Sequence, residues 1–252
     1  MALLDDLLIS AGREKGVMRH AKPLWRRLNE LRLPVFRPLA SFLYAERQSR
    51  SIWLPLLLKF VYREPLLRYR CESVGRRLQL EGAIPEIGGD GRIAIGDNVR
   101  IGPQCSWYVG HKVSVGAELR IGNDVGVGYR NFMSVVKSIE IGDRTMLASG
   151  VAIFDNPSHP MSPRQRFFHE PFELDDAAPV VIGRNCWIGS NAFVLKGVTI
   201  GDNSIVAAAS VVTKPVPPNV LVGGAPAKIL RELPHDLFEA DWEEVANSRA
   251  GR

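Results

Sequence analysis

A beat of six constrains this chain more than any other feature. Aliphatic side chains recur at Ile182, Ile188, Val194, Ile200, Val206 and Val212. Four residues after each of the first five stands a small or slim one: Cys186, Ala192, Val198, Ser204 and Ser210. A helix requires a period of 3.6 and a strand alternates by two, so neither explains the pattern. A triangular coil does, with each hexapeptide supplying one short strand and one corner, and with the aliphatic residue pointing inward onto its counterpart one coil away. Aliphatic-Gly pairs begin at Ile95, Ile101, Val109, Val115, Ile121, Val127 and Ile141 and extend the pattern upstream. Glycine is expected at these corners for its tolerance of positive φ, like the Asn and Asp that follow it in "IGDN". The count predicts a parallel β-helix of roughly five coils, about 25 Å tall at one strand spacing per coil.

The beat breaks once. From Ile141 it runs through Leu147 and Ile153 and resumes only at Ile182. The intervening "DNPSHPMSPRQRFFHEPFELDDAAP" holds five prolines, which exclude regular ladder pairing and suit a defined excursion over 155–180. Excursions of this length within a compact domain are usually functional. Downstream, Pro217 and Pro218 are expected to stop the ladder, and 232–252 reads as a C-terminal helix and tail anchored by Trp242.

Charge separates the N-terminal third from the rest. Residues 1–80 carry 16 Lys/Arg against 7 Asp/Glu, a balance of +9, and the remainder carries 16 against 20, a balance of −4. The run "IWLPLLLKFVY" is too short to cross a bilayer. With Trp53, Tyr62, Tyr69 and many arginines it suits a helical region lying on an anionic membrane surface, the alternative being helices packed on the prism. The opening "MALLDDLLIS" lacks the basic residues of an export signal. Cys71, Cys105 and Cys186 form no CxxC pair, which fits a reducing compartment. The expected location is cytoplasmic, peripheral on the inner face of the membrane. No aromatic-basic nucleic-acid module is visible.

The run "VVIGRNCWIGSNAFVLKGVTIGDNSIVAAASVVTKPVPPNVLVGGAPAKIL" resembles the hexapeptide-repeat acyltransferases, in particular the galactoside and maltose O-acetyltransferases and their exopolysaccharide-modifying relatives. The resemblance covers about residues 93–231. It implies a left-handed β-helix over 81–231, a homotrimer, and acetyl-CoA bound in the groove between neighbouring prisms, with no metal. It also implies transfer of an acetyl group to a sugar hydroxyl, of an exopolysaccharide or another envelope glycan precursor, carried free or on a lipid. Such a reaction needs a base, and "SHPMSPRQR" resembles the segment that carries the family's histidine, so His159 is the expected general base. His169 in the same excursion, and His20, His111 and His235 elsewhere, are read as bystanders.

The same resemblance makes Trp187 a neighbour of the pantetheine arm and the Ser190 N–H a donor to the thioester oxygen. It sets Ala208 along the arm and Thr213, Lys214, Lys228 and Arg231 on the phosphates of CoA. Asn131 in "YRNFMS" matches an acceptor-binding position, and Asp155 stands close enough in sequence to touch acceptor or His159. Cys186 falls on the inward position and reads as core rather than nucleophile, so direct attack on the thioester is expected. Other chemistries compatible with the fold are N-acetylation of an amino sugar, acetylation of serine, a zinc hydratase resembling the γ-type carbonic anhydrases, and a non-catalytic scaffold.

Overall fold

The computed structural model describes Glu30, residues 35–110 and residues 116–234. The chain divides into two units, Met1–Trp53 and Leu54–Arg252. Helix α1 (Arg37–Leu58) starts in the first unit and buries none of its residues. In the second unit, four residues after the helix-interior Pro55, the chain widens into a π-helical turn, Lys59–Arg63, and then tightens into α2 (Glu64–Arg70). No helix among the described residues is long and apolar enough to cross a membrane.

The six-residue beat becomes three parallel faces. The first stacks Ser73–Val74, Arg92–Ile95, Glu118–Ile121, Ser138–Ile141, Val180–Ile182 and Thr199–Ile200. The second stacks Gln79–Leu80, Arg100–Ile101, Gly126–Val127, Met146–Leu147, Trp187–Ile188, Ile205–Val206 and Val220–Gly224. The third stacks Glu86–Gly88, Ser106–Val109, Phe132–Val135, Ala152–Phe154, Phe193–Val194 and Val211–Val212. Register follows the aliphatic column: Ile95 pairs with Ile121, Ile141 with Ile182, and Ile182 with Ile200. Both inward positions of the repeat are buried, Ile182, Ile188, Val194 and Ile200 with Cys186, Ala192, Val198, Ser204 and Ser210.

The prism is taller than the dipeptide count suggested. Among the described residues seven parallel rungs stand on the second face, not five, because the first coil begins at Ser73, before the boundary near residue 81. Its Val74-Gly75 and Ile87-Gly88 pairs are the signal for it. Nor do Pro217 and Pro218 end the ladder. Val216 still bridges Ile200 on the first face, and Val220–Gly224 adds a further parallel rung on Ile205–Val206. The two prolines occupy the corner between them. An antiparallel return strand, Ala227–Glu232, closes the top edge. The expected C-terminal helix with Trp242 lies, apart from residues 232–234, outside the described residues, as do His20, His111 and His235.

The corners also revise the reason for glycine. At most corners positive φ is carried by Asn98, Asp124, Arg144, Asn185 and Asn203, two residues after the repeat glycine, and by Asn219 after Pro217-Pro218, whereas Gly110 and Gly116 take it themselves. Where the glycine does not carry it, close approach accounts for the residue: a Cβ on Gly142 would stand 2.6 Å from the Gly183 carbonyl carbon of the next rung.

Candidate functional site

The excursion leaves the third face after Phe154 and is tied at its neck. The Asp155 carbonyl accepts from the Ala178 N–H at 2.7 Å, and the Ala178 carbonyl accepts from the Gly197 N–H at 3.0 Å. Asp155 is fully buried, and its carboxylate accepts from the Val136 N–H at 2.9 Å, the Lys137 N–H at 2.6 Å and the Asn156 side chain at 2.9 Å. Burial pushes this carboxyl above the usual carboxylate range, while donors from Asn156, Val136, Lys137 and Ser138 pull it back. Asn156 extends the network. Its Nδ2 also donates to the Ser134 carbonyl and hydroxyl, and its Oδ1 accepts from the Ser158 N–H at 2.9 Å. That bond holds Ser158 at φ 64, the turn that presents His159. Farther on, Ser162 caps the short helix α3 (Pro163–Phe167), and Phe172 packs with Val136 and Ala177 as a small second core.

Between this excursion and the third face lies a cavity of about 440 Å³. Tyr108, Phe132 and Ser134 form its floor, and Ser158, His159, His169, Glu170 and Phe172 its walls. Tyr108, Phe132 and Phe154 stack with ring centroids 5.7 and 5.4 Å apart, an aromatic ladder beside the imidazoles. The Tyr108 hydroxyl donates to Glu86 at 3.0 Å. His159, the expected general base, is exposed and lines the cavity; His169, read as a bystander, lines it too. A second imidazole in one excursion ten residues away was visible in the sequence, but nothing local said that the chain would fold back.

Asn131 and Asp155 do not face this cavity as the acceptor reading required. Asn131 is 1% exposed and donates to the Gly128 and Ala148 carbonyls at 2.7 and 3.0 Å inside the coil. It occupies the inward position four residues after Val127, the same place that Cys186 takes after Ile182. Asp155 spends both carboxylate oxygens on backbone and Asn156 donors, so neither orients the His159 ring. Cys186 is buried, with its thiol pushed up to about 11, chiefly by desolvation.

The remaining site residues gather at the corner before the third face and on the top hairpin. Trp187 is 49% exposed and pairs in register with Met146 and Ile205. The Ser190 carbonyl accepts from the Ala209 N–H at 2.8 Å, which brings Ser190 beside Ala208 one rung above. Among the described residues no hydrogen bond from the Ser190 N–H is seen. Thr213 and Lys214 follow the last third-face strand, while Lys228 and Arg231 ride on the return strand opposite Gly223 and Leu221. All four are exposed, and the three cations make no ion pair among the described residues, so they are available for phosphate oxygens. None of this group lines the histidine cavity. Among the described residues no three metal-ligating side chains converge.

A parallel prism with this beat defines a hexapeptide-repeat protein, and residues 179–214 match the family described as the hexapeptide repeat of succinyl-transferase. The resemblance to the hexapeptide-repeat acetyltransferases therefore stands, and with it the left-handed β-helix. The galactoside O-acetyltransferase of Escherichia coli (strain K12) is 33% identical over 142 residues, 55% of this chain and 63% of that protein. A Staphylococcus aureus (strain Mu50) relative is 42% identical over 84 residues, 33% of this chain and 40% of its own length. The chain thus spans less than two thirds of the curated relatives it matches. Among solved structures, an N-acyltransferase from Bacillus cereus, a mutant of AntD in complex with dTDP and Coenzyme A, aligns with a TM-score of 0.58 at 19% identity, covering 73% of this chain and 96% of that one.

Proposed function

We propose that the protein is an acetyl-CoA-dependent O-acetyltransferase that acetylates a sugar hydroxyl of an exopolysaccharide or other envelope glycan precursor. The observation that carries this reading is the exposed His159 imidazole in a cavity whose floor is an aromatic ladder. An aromatic face suits the apolar face of a pyranose, and an adjacent neutral imidazole can take the proton of the hydroxyl that attacks. His159 removes that proton as the hydroxyl oxygen bonds to the thioester carbonyl carbon, and returns it to the departing sulfur. The Ser190 N–H donates to the carbonyl oxygen while it carries negative charge. Lys214, Lys228 and Arg231 hold the donor's phosphates, and Trp187 flanks its arm.

These two groups stand at opposite ends of the third face. His159 follows its strand Ala152–Phe154, whereas Ser190 precedes its strand Phe193–Val194. A site that uses both is most simply completed by a neighbouring copy, which supports a homotrimer with the cavity of one prism facing the donor groove of the next. The exposed apolar and aromatic side chains of α1 and the turn after it, including Phe42, Trp53, Phe60 and Tyr62, support peripheral attachment to an anionic membrane.

Substituting His159→Ala tests the chemistry. Acetyl-CoA binding should persist while turnover on a glycan acceptor falls about 100-fold or more. Near-normal turnover would remove His159 from the reaction.

A further inference from the structure

Low on the second face, a cavity of about 630 Å³ opens beside the π-helical turn, and it shares no lining residue with the histidine cavity. Lys59, Arg77 and Arg100 line it against one carboxylate, Asp124. That carboxylate is engaged: its Oδ1 accepts from Asn98 Nδ2 at 2.5 Å. Among the described residues Arg100 has only a loose ion-pair partner, Glu81 at 3.7 Å, with both side chains more than half exposed. Among the described residues Lys59 and Arg77 make no ion pair. Gly126 leaves the floor open, since a Cβ there would meet nothing closer than Arg100 Nη2 and Met146 Cγ, each at 3.8 Å.

Two backbone features meet at this place. Lys59 is the first residue of the π-helical segment, and such segments concentrate at functional sites. Arg77 takes the left-handed corner, φ 57, that Asn98 and Asp124 take in the rungs above. That conformation favours Asn and Asp over a long side chain; Arg144 also takes it higher in the same column, and of the two Arg77 lines this cavity. Guanidinium forks match phosphate oxygens in geometry and charge, and an ammonium adds a compact third contact.

We propose that this cavity binds a phosphate or diphosphate group through Lys59, Arg77 and Arg100. The group can belong to a lipid head or to a soluble anion, and the site is independent of the acetyl-transfer reading. The test uses the full chain saturated with CoA, so that any donor-phosphate site is filled, and titrates it calorimetrically with inorganic pyrophosphate. Binding should be salt-sensitive, and Arg77→Asn and Lys59→Gln should each weaken it about 10-fold or more. Asn suits the left-handed corner, so the first variant keeps the fold. Vesicles of phosphatidylcholine with and without phosphatidic acid identify the source. Loss of phosphatidate-dependent retention in both variants assigns a lipid head; retention unchanged alongside lost pyrophosphate binding assigns a soluble anion. Wild-type protein that binds neither probe, or variants that bind both as wild type does, would overturn the proposal.

Discussion

Asp155→Asn should loosen the excursion without loosening the prism. The substitution keeps shape but turns one acceptor oxygen into a donor that faces an N–H, so at least one of the bonds from Val136, Lys137 and Asn156 is lost and a buried donor is left unpaired. A bond to a charged acceptor contributes about 1.5–3 kcal/mol, and relief of the buried charge offsets part of the loss, which leaves a cost of about 2 kcal/mol. Because Asp155 and Ala178 close the neck, this cost falls on local opening of 156–177. An opening made 2 kcal/mol easier raises amide exchange about 30-fold. Hydrogen exchange read by mass spectrometry should show that acceleration at Val136, Lys137 and Ala178, with Ile182–Val206 unchanged, and turnover should fall through displacement of His159. The pH dependence has a definite sign. A folded carboxyl pKa raised above its unfolded value favours folding below the unfolded value, and that contribution is lost as pH rises through the folded one. Protection of the wild-type neck should therefore decline across that window, and Asp155→Asn should abolish the dependence. Unchanged exchange at those three amides, or acceleration spread through the coils, would refute the anchoring role.

Gly183→Ala would bring a Cβ to 2.4 Å from Asp202 Oδ1 and 2.7 Å from its N–H, and should cost about 1–3 kcal/mol in a urea titration, whereas Gly126→Ala has room and should be neutral or gain up to about 1 kcal/mol. If both behave alike, rung contact is not what the repeat glycines serve. Lys214→Ala and Arg231→Ala should raise the KM for acetyl-CoA more than they lower kcat, and dephospho-CoA should shrink the effect for whichever residue holds the 3′-phosphate. Equal losses with both donors would remove that assignment. The full chain should float with anionic vesicles and be only partly released by salt, because burial of Trp53 and its apolar neighbours is unscreened; indifference to such vesicles at low salt would exclude surface attachment.

What could be read from the sequence depended on whether a residue's partner lay at a fixed chain distance. Ile182, Ile188 and Val194 stack on residues one coil away, so their periodicity announced the core. By the same rule Asn131, four after Val127, belonged inside, and it was the resemblance of "YRNFMS" to a family segment that argued for an acceptor role. Asp155 gave no such signal. Its partners Val136 and Lys137 are backbone N–H groups delivered by the preceding coil, and a backbone donor leaves no mark on residue type. The first coil was obscured because Val74-Gly75 and Ile87-Gly88 are thirteen apart, which breaks the step of six. His169 joined His159 through the fold of a segment with no repeat at all.

The restored register after the excursion has a consequence in chain statistics. Ile141 to Ile182 spans 41 residues for one circuit, whereas Ile182 to Ile200 spans 18, yet both end in the same ladder. Closing the longer circuit costs only about 0.7 kcal/mol more, since closure entropy grows with the logarithm of length. That is comparable to a single hydrogen bond, and the neck alone supplies several. Length in this segment is therefore a nearly free variable: residues can be added to or removed from the wall of the cavity, changing the size of acceptor it admits, while the coils on either side keep their pairing.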